Sequence, residues 1–273
     1  MIPAPFEYVR AGSVDEAIAA LCEHDAAGRE VKLLAGGHSL LPMMKLRMAR
    51  PEVLIDLGEL AELRYVRTDD DVLAIGALST HAQLAGSEPV RADAALLAHA
   101  AAQVGDPQVR HRGTIGGSLA HADPAADLPM AMLAAGATMV LQGADGRREV
   151  AAEDFFTGYF ETALGTGELL VEVRVPRRPG VGWGYEKFVR RANDWAIVGV
   201  ATVAGRIALA NMGPTPLRAR AAEAALADGA SIEDAATLAA EGTEPVTDLH
   251  ADPEYRRHLA RVLTRRALAR CSR

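Results

Sequence analysis

Two short stretches of this chain pair glycines with hydroxyl side chains: Ala35-Gly36-Gly37-His38-Ser39 and Thr114-Ile115-Gly116-Gly117-Ser118. Glycine tolerates positive φ and lets other groups approach the backbone, so successive N–H groups in such a loop can point at one phosphate oxygen. The hydroxyls of Ser39, Thr114 and Ser118 add donors. One Gly-Gly pair usually makes a turn and nothing more. Two together suit a pyrophosphate, whose oxygens face several directions and need donors from more than one segment. Neither stretch is a G-x-G-x-x-G opening a helix or a G-x-x-x-x-G-K-S/T, so Rossmann and P-loop geometries are not expected. His99, His111 and His121 have no metal-ligand spacing and read as loop or surface residues. No Ser-His-Asp arrangement or paired-carboxylate motif stands out.

The composition narrows the field further. The chain has 273 residues, enough for two ordinary domains, with 49% hydrophobic and 24% charged residues, a soluble globular balance. A formal charge of −7 argues against nucleic acid as the main partner. Cys22 and Cys271 are the only cysteines, far apart, so neither a disulfide framework nor a cysteine-ligated iron–sulfur cluster can be built within this chain. The first residues lack a basic-then-apolar leader, and no apolar run is long enough to cross a bilayer. A cytoplasmic location is expected, with any membrane association made through a complex.

The elements that must carry the two loops can be placed from local signals. Ser13-x-x-Glu16 is a capping box opening a helix to about Ala27. Val31–Ala35 and Val53–Leu57 read as buried strands. Asp69-Asp70-Asp71 separates the arms of a hairpin, Arg64–Arg67 and Val72–Gly76. Thr80-x-x-Gln83 starts helical sequence that resumes from Pro89 to about Val104. Residues 105–127 show neither helical nor strand period and read as a functional loop. Asp127 fits an N-cap with Pro129 in the first turn, followed by a helix through Ala135, a strand Ala137–Leu141 and a hairpin at Gly143–Gly146. Strands near 183–190, 197–204 and 206–210 precede helical sequence to the C-terminus. Residues 221–254 hold nine acids and no Lys or Arg, whereas 255–273 hold seven arginines and no acid. Two solvated faces that attract each other are preferred there over a partner-docking surface.

The two glycine motifs, the first trailed by Leu40-Leu41-Pro42-Met43-Met44-Lys45-Leu46-Arg47 and the second by Ala122-Asp123-Pro124-Ala125-Ala126-Asp127, resemble the FAD pyrophosphate loops of the carbon monoxide dehydrogenase medium subunit and its xanthine dehydrogenase relatives. The resemblance runs through essentially the whole chain. It implies an α+β fold: a two-lobed FAD-binding domain of the PCMH, vanillyl-alcohol-oxidase-like or UDP-N-acetylmuramate-dehydrogenase-like type over 1–175 (lobes about 1–57 and 58–175), then a small α+β domain over 176–273. Leu33, Leu34, Ala35, Gly36, Gly37, His38, Ser39 and Leu40 would line the adenine-proximal and pyrophosphate part of FAD, with Thr114, Ile115, Gly116, Gly117 and Ser118 opposite. Val104 and Asp123 are placed in the same site. Asp127 matches the family's ribose-binding carboxylate, and Leu169 and Leu170 a segment on the adenine or flavin side. Lys187 matches a lysine near the flavin ring, and Asp194 and Trp195 a mobile loop over it.

The resemblance also implies partners: a large molybdenum subunit that oxidises the substrate and a small subunit with two 2Fe–2S clusters, in a dimer of heterotrimers. Molybdopterin and iron–sulfur would then reside in those partners, with FAD alone here. The alternative is a free-standing FAD oxidase or dehydrogenase of a small alcohol, with flavin linked to His38. A docking module that has lost FAD is the non-enzymatic alternative. The holoenzyme's substrate and its electron acceptor are not legible in this chain.

Overall fold

The computed structural model describes residues 2–271. β1 (Glu7–Arg10), α1 (Val14–Ala26), β2 (Val31–Leu34), α2 (Leu40–Lys45) and β3 (Val53–Asp56) build a small parallel sheet of order β1-β3-β2, with Glu7 and Val31 both opposite Val53. Ser13 caps α1 by accepting from the Glu16 N–H at 3.1 Å. The Glu16 carboxylate reaches the Gly12 N–H at 2.8 Å, one residue earlier than a reciprocal capping box. α1 turns Val14, Ala17 and Ile18 onto Val53 and Ile55. That apolar stripe fixes the helix on the sheet.

The next sheet is antiparallel. β4 (Val66–Asp69) and β5 (Val72–Gly76) form the expected hairpin, with Asp70 at φ +43 in its turn. Helices α3 (His81–Gly86), α4 (Glu88–Asp93), α5 (Ala95–Gln103), α6 (Pro107–Arg112), α7 (Ile115–His121) and α8 (Asp127–Ala135) follow. Then come β6 (Thr138–Gly143), β7 (Gly146–Ala151), α9 (Ala152–Phe155), the short pair β8 (Phe156–Gly158) and β9 (Glu161–Thr162), and β10 (Leu169–Pro176). β10 enters the middle of a five-stranded sheet of order β4-β5-β10-β6-β7.

Two expectations need correction here. Residues 105–127, read as a loop, contain α6 and α7. These helices have six and seven residues, too short to display a period, and each is started by a cap, Asp106 accepting from Val109 N–H (2.9 Å) and Thr114 from Gly117 N–H (3.1 Å). Asp127 is not an N-cap: Ala126 holds that position and Asp127 is the first helical residue.

The chain closes with β11 (Trp183–Phe188), β12 (Val198–Val203), β13 (Arg206–Ala210) and β14 (Leu217–Arg218) in one antiparallel sheet, then α10 (Arg220–Ala227), α11 (Ile232–Thr237) and α12 (Pro253–Cys271). Alternation along the strands explains why this sheet is bonded to what precedes it. Ala201, Val203, Ala208 and Ala210 join the core around α8, while Val198, Val200, Ile207 and Leu209 face Leu259 and Leu263 of α12. Both faces are covered, so β12 is buried throughout and reads as a continuous apolar run. α8 is buried at every position, consistent with its all-round apolar sequence. Each Leu or Met placed there contributes roughly 1.5–3 kcal/mol by leaving water.

Charge supplements this packing at the seam. Glu153 in α9 takes Arg206 (2.5 Å), Arg218 (2.6 Å) and Arg220 (2.5 Å). The two oppositely charged C-terminal segments also meet, through Arg256 and Asp248 at 2.5 Å, whereas Arg257 and Arg261 donate to the carbonyls of Thr243 and Thr237. Among the described residues no helix is long and apolar enough to cross a membrane.

Candidate functional site

The first glycine loop leaves the sheet where β2 ends, at the carboxyl edge of the parallel strands. In open sheets with parallel strands that edge is where ligands settle. Leu33 and Leu34 are its last strand residues, half-buried, and Gly37 sits at φ +77, a conformation glycine adopts without strain. Among the described residues, the N–H groups of Gly36, Gly37, His38, Ser39 and Leu40 donate no hydrogen bond within the protein. Ser39 precedes α2 without capping it, which leaves its hydroxyl free, and the His38 ring is exposed. Such a row of unspent donors fits an anionic group carrying several oxygens.

The second loop is built differently. Ile115 N–H donates to Ser79 O (3.0 Å), Gly116 N–H to Ala77 O (2.8 Å), Gly117 N–H to the Thr114 hydroxyl (3.1 Å) and Ser118 N–H to Thr114 O (3.0 Å). Its amides are therefore used inside the protein, and the expected symmetrical pair of amide cradles does not form. Its glycines serve close approach: a Cβ on Gly116 would lie 2.6 Å from the Ala77 Cβ. What this loop can offer a ligand is the Ser118 hydroxyl and a wall against the first loop.

The loops do meet. A Cβ on Gly36 would lie 2.3 Å from Arg112 O, and one on Gly117 3.6 Å from the Ala35 Cβ. Beside them opens a cleft of about 230 Å³, with Ala35, Asp56, Leu78, Thr80, Arg112 and Thr114 in its walls. Underneath Gly113 the ring of His81 is buried, and its Nδ1 has no partner among the described residues. Burial holds the His81 imidazole down at about 4, and His38 and Arg110 push the same way.

The other residues singled out in the sequence fall into separate groups. Asp127 is buried, with Oδ1 taken by the Tyr185 hydroxyl and Oδ2 by Lys187 Nζ at 2.9 Å. Burial pushes this carboxyl up, and the Lys187 charge and both hydrogen bonds pull it back. Burial, then the Asp127 charge, raises the Tyr185 phenol. Tyr185 and Lys187 thus each take one oxygen of the Asp127 carboxylate, a buried cluster at the start of α8.

Lys187 Nζ also lies 3.5 Å from Gln103 O, next to Val104, whose carbonyl accepts from Arg110 at 3.0 Å. Asp123 accepts from Ala125 N–H (2.8 Å), and burial pushes its carboxyl up. Leu169 and Leu170 are 4% and 5% exposed and belong to the cores on the two faces of their sheet. Trp195 is 66% exposed; Asp194 accepts from Arg191 N–H (3.1 Å), and Ala196 N–H holds the loop to Ala125 O (3.4 Å).

Two residues escaped the reading of the sequence. Tyr185 shares a strand face with Lys187, which period-2 spacing alone would reveal. Arg112 closes the basic run Arg110-His111-Arg112 just ahead of the second loop.

Comparison with known proteins accounts for nearly the whole chain. Residues 4–178 match the family model described as the FAD binding domain in molybdopterin dehydrogenase, and residues 183–271 match the CO dehydrogenase flavoprotein C-terminal domain. The chain is 44% identical to the carbon monoxide dehydrogenase medium chain of Hydrogenophaga pseudoflava, covering 100% of both. It is 36% identical to the glyceraldehyde dehydrogenase medium chain of Sulfolobus acidocaldarius, covering 98% of each. Among solved structures, carbon monoxide dehydrogenase from Hydrogenophaga pseudoflava superposes with a TM-score of 0.95 at 46% identity, over 100% of this chain and 99% of that one. Quinoline 2-oxidoreductase from Pseudomonas putida gives 0.92 at 33% identity, over 100% and 98%.

Proposed function

From the premise that this chain belongs to the FAD-binding medium-subunit family of the molybdenum hydroxylases, we propose that it relays electrons from the 2Fe–2S clusters of a small partner subunit to an external acceptor. The substrate is then oxidised in a large molybdenum subunit, the three chains forming a heterotrimer that pairs into a dimer in the cytoplasm. FAD supplies, when bound, a carrier that can accept electrons singly and release them singly or in pairs.

The observation that carries this reading is the row of unspent amides from Gly36 to Leu40 at the carboxyl edge of the parallel sheet. Those amides would hold the diphosphate, with the hydroxyls of Ser39 and Ser118 beside them. The second loop would brace the first by close approach at Gly36 and Gly117. Lys187 would present a buried cation whose charge Asp127 balances. A cation near a flavin ring stabilises the reduced, anionic form, and Trp195 at the mouth would limit access by stacking.

The test is to purify the complex, record its visible spectrum and denature it. The reading expects FAD in about stoichiometric amount that leaves the polypeptide on denaturation. Flavin retained by the unfolded chain would favour attachment at His38 and a free-standing oxidase; a complex that neither releases nor retains flavin on denaturation would overturn the reading altogether.

A further inference from the structure

The cleft beside the two loops holds more positive than negative charge. Arg10, Arg64 and Arg112 line it together with Asp56 and Glu59. Most of these are already committed. Arg10 pairs with Glu59 at 2.9 Å, Asp56 accepts from the Tyr8 hydroxyl and from Gly58 N–H, and Arg64 donates to Gly58 O at 2.5 Å. Arg112 has no hydrogen bond or ion pair among the described residues, and its side chain is exposed.

Its backbone, by contrast, is held firmly. The Arg112 carbonyl occupies the space that a Gly36 Cβ would need, and Gly113 N–H is anchored to Val109 O at 2.7 Å before the chain enters Thr114. An uncommitted guanidinium thus springs from the point where both loops touch. The first loop supplies amides, which bond phosphate oxygens but bring no net charge. A diphosphate carries negative charge that such donors do not cancel, and a guanidinium supplies both the charge and a planar fork of donors.

We propose that Arg112 is the counter-charge for the diphosphate of the bound dinucleotide, a binding residue that selects ligands carrying two linked phosphates. The proposal rests on the reading of the Gly36–Leu40 amides as the diphosphate site of FAD. The competing description is a solvated arginine in the last turn of α6, where a cation interacts favourably with the helix carbonyls. That role would show up in stability and leave ligand affinity alone.

The test uses the whole complex, stripped of flavin and titrated with FAD by fluorescence quenching at about 0.05 M and about 0.5 M salt, because ionic screening separates a charge effect from a structural one. Arg112→Gln is expected to weaken FAD binding about ten-fold at low salt, the size of one charge-assisted hydrogen bond on an exposed site. The deficit shrinks at high salt, Arg112→Lys recovers part of it, and ADP competes less well against Arg112→Gln than against the wild type. Unchanged FAD affinity in Arg112→Gln, or a deficit that is the same at both salt concentrations, would overturn the proposal. Gly36→Ala serves as the separate arm: if it too binds FAD normally, the first loop is not the diphosphate site, and the underlying reading falls with the inference.

Discussion

The two glycine loops are nearly the same in composition and opposite in use. The first follows a strand that has run out of neighbours, so Gly36 to Leu40 keep their amides free. The second begins a helix in contact with the segment 77–79, and its amides are spent on Ala77, Ser79 and Thr114. A Gly-Gly pair therefore has two physical uses. It can turn donors outward to a ligand, or it can let one stretch of backbone lie against another. The first loop leaves its donors without acceptors among the described residues, the second uses its glycines for close packing, and the contact between Gly36 and Arg112 makes each depend on the other.

The comparison breaks first at Gly36. A Gly36→Ala methyl would sit 2.3 Å from a backbone carbonyl that has nowhere to go. The expected result is loss of bound FAD together with about 2–3 kcal/mol of stability, read by flavin absorbance and denaturant melting on the same sample. A variant that kept its flavin would mean that the first loop is not the ligand-facing one.

Gly116→Ala should separate the loops. Its methyl meets Ala77 at 2.6 Å, so a cost of about 1–3 kcal/mol is expected, but the protein that remains folded should hold FAD with unchanged affinity. If the affinity fell as far as in Gly36→Ala, the two loops would be doing the same work.

His81, packed under Gly113 at the entrance to the second loop, sharpens the comparison through pH. Its folded pKa, about 4, lies below the ordinary value of 6.5 because of burial. As pH falls below 6.5 the unfolded chain takes up a proton that the folded chain refuses, so stability present above 6.5 is lost progressively down to about 4. Melting temperatures across that window should fall by a few °C more in the wild type than in His81→Gln. Parallel pH profiles for the two proteins would remove His81 from the account.

The smallest effect is expected at Thr114, whose hydroxyl caps α7. Thr114→Val should cost about 1 kcal/mol and change FAD affinity little, measured by the same melts and titrations. A large loss of affinity with unchanged stability would show that the hydroxyl faces the ligand instead.

Much of this was legible along the chain. The capping signal at Thr80 and Gln83 forms as written, with both reciprocal bonds present. The apolar runs at Val31–Leu34 and Val53–Asp56 are strands, and the acidic turn at 69–71 closes a hairpin. Each depends on residues a few positions apart, where local sterics and hydrogen bonds suffice. The helices in 105–127 were missed because caps, not periodicity, start elements so short. The bonds of Asp127 to Tyr185 and Lys187 come from a strand far along the chain, which local signals do not reveal.

The sequence by itself determined that two glycine motifs with flanking hydroxyls exist, which family they resemble and that FAD is the cofactor to expect. Only the tertiary structure decided which loop keeps its amides free, that the Arg112 side chain has no partner among the described residues, and that the Asp127 carboxylate bonds Tyr185 and Lys187. The reason is physical. Whether an amide or a carboxylate is available depends on which acceptors and donors distant segments bring to it, and the spacing of residues along one chain does not encode that.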